Sequence, residues 1–165
     1  MKYKNIILSF GSNIGDKIEN IKKAYLLLES NQKINIIQRS DFYKSSPIGY
    51  LEQDWFVNTA VDIETDYEPE ELLKEIKRIE EAMGRKKTFK WGPRIIDIDI
   101  IFWNDLSLKS KSLNIPHINA LQRKFVLVTV LDIDTKYKDP IENKPLKDYL
   151  KTLKSSEVLE KIANK

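Results

Sequence analysis

Cysteine is absent from this 165-residue chain and histidine occurs once. Disulfide frameworks and thiolate metal sites are thereby excluded, and one imidazole cannot build a histidine-rich zinc centre. No apolar run approaches the roughly 20 residues of a membrane span, and Met1 leads into a strand pattern with no signal-peptide core. A cytoplasmic chain is expected, with no membrane partner. Neither sign of charge is in marked excess: 28 basic and 25 acidic residues leave a net charge of +3, which demands no nucleic-acid partner. The few glycines build no nucleotide loop. Gly11, Gly15 and Lys17 miss the P-loop spacing and no GxGxxG is present, so ordinary turn chemistry accounts for that segment.

What is present suits one domain over residues 1–165 with a real core, since 41% of the residues are hydrophobic. Asn5 to Phe10 reads as a buried strand. A helix follows, with Ile18, Ile21, Tyr25 and Leu28 at helical spacing and Asp16 placed to cap it. Ile34 to Tyr43 and Trp55 to Glu64 read as strands, the latter with Phe56, Asn58 and Ala60 facing away from Val57, Thr59 and Val61. Pro69 opens a second helix striped by Leu72, Leu73, Ile76, Ile79 and Met83, which Gly84 ends. Ile95 to Trp103 is a further strand. Asn119 to Asp132, Leu146 to Leu153 and Glu157 to Ala163 read as helices. The order predicts an α+β, ferredoxin-like βαββαβ antiparallel sheet with helices on one face, appended C-terminal helices and a second face open to a ligand.

The densest chemistry lies in KWGPRIIDIDII, residues 90–101. Strand alternation sends Asp97 and Asp99 to one face and Ile96, Ile98 and Ile100 to the other. The carboxylates then lie about 6–7 Å apart at the backbone, close enough to bracket one or two hard cations. A solvated sheet edge is the bland alternative. Arg85, Lys86, Lys87, Lys90 and Arg94 stand just upstream, the cationic complement that a polyphosphate requires. Arginine suits such a clamp best, because its planar fork binds phosphate through two hydrogen bonds.

The chain resembles the 6-hydroxymethyl-7,8-dihydropterin pyrophosphokinase family of the folate pathway. The resemblance rests on SFGSNIGD, FYKSSPIG, WFVNTAV, IEEAMGRKKTFKWGPRIIDIDII, IPH and QRKFVL. It implies transfer of the β,γ-diphosphate of ATP to the hydroxymethyl group of the pterin, with AMP as the other product. It implies two magnesium ions at Asp97 and Asp99, with Arg85 and Arg94 stabilising transfer and Asp97 beside the attacking hydroxyl. Glu80, Arg85, Lys87, Trp91, Arg94, Ile100, His117 and Arg123 would form the ATP site. Ser45, Ile48, Phe56, Asn58, Asp97 and Phe125 would hold the pterin, its ring between the two phenylalanines. A monomer with these two substrates as its partners is expected.

Some residues depart from the family pattern. Lys87 and Lys90 replace arginines, Ile118 follows His117 where an aromatic is common, and Ser46 interrupts a Pro-Pro pair. Plain structural roles compete with several assignments: core aromatics for Phe56 and Phe125, a turn cap for His117, a solvated helix position for Glu80. A metal-dependent phosphohydrolase shares the ions and cations. A ferredoxin-like RNA-binding module would need aromatics on its central strands in a pattern that this chain lacks.

Overall fold

A computed structural model describes residues 1–86 and 89–163. Its spine is β1 (Tyr3–Ser12), whose last seven residues are all buried. Alternation splits that strand between two cores. Ile6, Leu8 and Phe10 join one apolar cluster, and Ile7 joins another on the opposite face.

The first cluster lies under two amphipathic helices. Helix α1 (Lys17–Glu29) starts where the Asp16 carboxylate accepts the Glu19 N–H at 3.3 Å, and it buries Ile21, Ala24, Tyr25 and Leu28. After β2 (Ile34–Arg39), β3 (Tyr43–Ser45) and β4 (Phe56–Thr65), helix α2 (Pro69–Ala82) opens on its proline and buries Leu72, Ile76, Ile79 and Glu80. Strand β5 (Asp97–Trp103) pairs antiparallel with β1, a small hairpin of β6 (Leu108–Lys109) and β7 (Asn114–Ile115) follows, and the chain ends in α3 (Lys124–Ile133), α4 (Leu146–Thr152) and β8 (Leu159–Lys161). The main sheet runs β5-β1-β4-β3-β8, with β2 also on β4, and the pairings within it are antiparallel. No helix among the described residues is long and apolar enough to cross a membrane.

Four expectations are corrected here. The single strand Ile34–Tyr43 is two strands, because at Ser40 a hydroxyl takes over from the ladder: Ser40 Oγ accepts the Ala60 N–H at 2.9 Å, while the Ser40 N–H donates to Ala60 O at 2.8 Å. The helix Asn119–Asp132 is a 3₁₀ turn, Ala120–Gln122, followed by α3, with extended backbone at Arg123 (φ −107°, ψ 115°) between them. The helix Glu157–Ala163 is edge strand β8, since the outer edge of β3 offers ladder partners that the isolated segment lacks. Finally, helices do not keep to one face. Val126, Leu127 and Val130 of α3 and Leu146 of α4 cover Ile7, Ala60 and Ile101 on the second face. The opposite end of that face, floored by Gly11, Phe56, Asn58, Asp97 and Asp99, stays open as a cavity.

Candidate active site

Gly11 makes the cavity floor possible. It pairs with Asn58 on one side and Asp97 on the other, so it lies between the amide and the carboxylate. A Cβ there would stand 3.1 Å from Asn58 Oδ1 and 3.7 Å from the Phe56 ring, closing the floor. Asn58 is 3% exposed and donates through Nδ2 to the Ser45 hydroxyl, itself buried. An amide fixed this way presents a defined edge to a ligand.

Aromatic and loop residues complete this cavity: Ser45, Ser46, Ile48, Trp91, Arg94, Arg123 and Phe125 join the floor residues. The Arg123 guanidinium lies over both neighbouring rings, 5.7 Å from the Trp91 centroid and 5.9 Å from that of Phe125. Trp91 has left-handed backbone, φ 68°, a strained conformation for an aromatic residue. Two contacts hold it. Gln53 Nε2 donates to its carbonyl at 2.6 Å, and the ring presses on Gly49, where a Cβ would meet Trp91 Cγ at 2.8 Å. Gly49, at φ 82°, is required there on both counts.

A second, more polar cavity backs onto the first. Its wall includes Lys77, Glu80, Arg85, Ile100, Ser112, Asn114, His117 and Ile118, and it shares Asp97 and Asp99 with the aromatic cavity. The carboxylate strand is thus the partition between two concave spaces.

The electrostatics of that partition follow from its arginines. Arg94 Nη1 donates to Asp97 Oδ2 at 2.8 Å, and Arg85 Nη2 donates to Oδ1 at 3.3 Å. Arg85 Nε is buried without a hydrogen bond, 3.9 Å from Glu80 Oε2. Arg85 is therefore not fully satisfied, and it can turn to a new anion at small cost. Among the described residues no arginine clamps Asp99 in this way. Burial, and next the charge of Asp97, push its carboxyl up to about 7, against the pull of Arg123.

Glu80 is not a solvated helix residue. It is 5% exposed, and its Oε2 accepts the Ile98 N–H at 2.9 Å, fastening α2 to the strand between the two aspartates. Burial raises its pKa, and the Ile98 hydrogen bond opposes that rise. His117 donates its backbone N–H to Ile101 O at 2.9 Å, and its Nδ1 accepts the Asn119 N–H at 3.1 Å. Burial, then Arg123, lower its pKa. The neutral ring so favoured carries its proton on Nε2, a donor on the side away from the Asn119 bond.

The residues expected for the pterin, Ser45, Ile48, Phe56, Asn58, Asp97 and Phe125, all line the aromatic cavity. Those expected for ATP divide. Glu80, Arg85, Ile100 and His117 line the polar cavity, whereas Trp91, Arg94 and Arg123 line the aromatic one. Lys87 lies outside the described residues. Asn13 was not singled out by motif. It is 3% exposed, takes the Arg94 N–H on Oδ1 at 2.8 Å and donates through Nδ2 to Gln53 Oε1 at 2.8 Å, so it ties the arginine loop to the Gly49 loop. The Gly-Ser-Asn turn holding it was its only sequence signal.

Among the described residues no three His, Cys, Asp or Glu side chains converge as a metal cage. Two carboxylates without a third suit magnesium, which takes one or two protein carboxylates and completes its shell with phosphate oxygens and water. The donor set therefore fits.

A carboxylate pair backed by arginines, between a polar cavity and an aromatic one on an antiparallel α+β sheet, suits the handling of phosphate-type groups. Residues 7–135 match the family described as 7,8-dihydro-6-hydroxymethylpterin-pyrophosphokinase, to which the chain belongs. A 2-amino-4-hydroxy-6-hydroxymethyldihydropteridine pyrophosphokinase of Aquifex aeolicus is 40% identical over 87% of this chain and 89% of its own length. The folic acid synthesis protein FOL1 of Dictyostelium discoideum is 48% identical over 82% of this chain, which spans only 20% of that longer protein. A crystal structure of Plasmodium falciparum HPPK-DHPS shares the fold, with a TM-score of 0.72 at 18% identity, over 91% of this chain and 43% of that one.

Proposed function

We infer that the chain transfers the β,γ-diphosphate of ATP to the hydroxymethyl oxygen of 6-hydroxymethyl-7,8-dihydropterin, releasing AMP. The observation that carries this reading is the position of Asp97 and Asp99 on the wall common to both cavities. A donor in one space and an acceptor in the other would meet across that strand.

In this reading the pterin ring lies between Phe56 and Phe125, with Asn58 and Ser45 meeting its polar edge in a site shielded from water. The triphosphate enters the polar cavity beside Arg85 and the Nε2–H of His117. Arg85 and Arg94 turn from Asp97 to the phosphate oxygens, so charge that was balanced within the protein becomes balanced against substrate. Two magnesium ions held by Asp97 and Asp99 would supply charge neutralisation and polarise the attacking and leaving oxygens. The hydroxymethyl oxygen forms a bond to the β-phosphorus as the bond from that phosphorus to the α,β-bridging oxygen breaks. AMP keeps the electron pair, and Asp97 is placed to take the alcohol proton.

The order β5-β1-β4, with β2 and β3 both beyond β4, supports a ferredoxin-like split βαβ sheet in which one strand is broken in two. Strand β8 completes the sheet begun by β1, which favours a single pyrophosphokinase domain. Nucleotide product analysis with and without the pterin tests the function. AMP and pterin diphosphate, formed only when pterin and magnesium are present, are expected. ADP as the main product, or free phosphate without pterin, would overturn it.

A further inference from the structure

The C-terminal segment lies beyond residues 7–135, which match the family, yet it touches both walls of the aromatic cavity. On the strand wall, Leu159 pairs with Ser45 in the β3–β8 ladder. One residue further, the Ser46 N–H donates to Val158 O at 2.9 Å and Ser46 Oγ accepts the Val158 N–H at 2.8 Å. The resemblance puts proline at this position. A proline there would have neither the donor nor the hydroxyl, so these two bonds, added to the β3–β8 ladder, depend on the serine.

On the helix wall, Arg123 precedes α3 as its N-cap residue and supplies no side-chain cap. Glu157 supplies the missing acceptor, its Oε2 taking the Phe125 N–H at 3.0 Å. Glu157 is 5% exposed, and its other oxygen, Oε1, is buried with no hydrogen-bond partner. A carboxylate held so deep with one oxygen unpartnered is costly to keep, and what its side chain does bond is the backbone at the start of α3 that aims Phe125.

We propose that Glu157 is a positioning residue for pterin binding: with Ser46 it clamps the strand wall and the helix wall of the aromatic cavity at a fixed spacing. A sandwich needs both faces at ring distance, and a tail bound to both sets that distance before substrate arrives. No tail residue lines the polar cavity, so nucleotide binding should respond to the tail far less than pterin binding does.

The proposal rests on the pterin reading above, and the test separates the two. Binding of 6-hydroxymethylpterin is measured on the full chain with magnesium and a non-hydrolysable ATP analogue. Binding of that analogue alone and the melting temperature are measured in parallel. Glu157→Ala should weaken pterin binding about tenfold, the scale of a lost helix cap, while analogue binding stays within about twofold. Glu157→Gln keeps an acceptor for the Phe125 N–H and should recover most of the loss. Glu157→Asp keeps the charge but falls short of Phe125; it should behave like the alanine variant and serves if that variant does not fold. Pterin affinity unchanged in both Ala and Asp variants, with only a lower melting temperature, would make Glu157 a plain anchor and overturn the proposal. So would an equal loss of analogue affinity, or a Gln variant as weak as Ala. No pterin binding by the unaltered chain would instead sink the functional reading.

Discussion

The two cavities that share Asp97 and Asp99 are made of different material. The aromatic one is floored by paired strands β5, β1 and β4, and its polar side chains Asn58 and Ser45 already hold each other through a hydrogen bond. The polar one depends on cations whose partners are provisional: Arg85 reaches Asp97 at 3.3 Å with its Nε unsatisfied, and Lys77 is exposed at the rim. A flat heterocycle needs a rigid slot, because its recognition comes from shape and edge hydrogen bonds that tolerate little play. A triphosphate brings its own charge and can recruit arginines that spend the empty state on Asp97. On the proposed reading, the aromatic space is ready before the pterin arrives, and the polar one is assembled by the nucleotide it would take.

The sharpest way to break this contrast is to remove what the spaces share. Asp97→Asn is near-isosteric and should leave the fold intact, while lowering AMP formation by about three orders of magnitude through lost metal and proton chemistry. Near-normal turnover at saturating magnesium would mean that the partition is not where reaction occurs. Next come the recruited cations. Arg85→Ala and Arg94→Ala should each lower turnover about a hundredfold with little change in pterin affinity, as expected for groups that act on developing charge. A pure rise in the Michaelis constant for ATP would reassign them to ground-state binding.

Why one side was easier to read than the other has a physical cause. Strand alternation makes Asp97 and Asp99 visible as a pair, and the 3.6-residue stripes of α1 and α2 are carried by their own sequences. The same holds for Phe56 and Asn58, which sit where alternation put them on β4. Glu80 and Glu157 were not legible as buried groups, since a glutamate in a charged run reads as solvated until its backbone partner, Ile98 or Phe125, is known from the fold. Strand β8 failed for a related reason: SEVLEKIANK has helical spacing, and only the outer edge of β3 makes Leu159–Lys161 within it a strand. The break at Ser40 needed the position of Ala60, and the cover over the second face needed the docking of α3.

The third prediction concerns pH. Asp99 has its folded pKa raised to about 7, so in EDTA the folded chain holds a proton that the unfolded chain releases nearer pH 4. Melting temperature should therefore fall as pH rises between those values. Glu80 and Glu157, both raised by burial, act in the same direction, so Asp99→Asn should flatten the dependence only in part. Magnesium with nucleotide should reverse the trend, since bound cation requires the ionised carboxylate. A melting temperature that rises over the same range in EDTA would show that Asp99 is not held as the acid. The smallest expected effect is at the rigid slot. Phe125→Leu keeps bulk but removes an aromatic face, so pterin affinity should drop several-fold, or about 0.5–1.5 kcal/mol, with ATP affinity unchanged. A large stability loss with unchanged pterin affinity would return Phe125 to the core.

The most direct test of the shared partition is a crystal structure of the chain with 6-hydroxymethylpterin, a non-hydrolysable ATP analogue and magnesium. The account predicts the pterin between Phe56 and Phe125, the triphosphate beside Arg85 and His117, and metal density at Asp97 and Asp99 between them. A nucleotide base in the Phe56–Phe125 slot, or metal bound away from both aspartates, would contradict it.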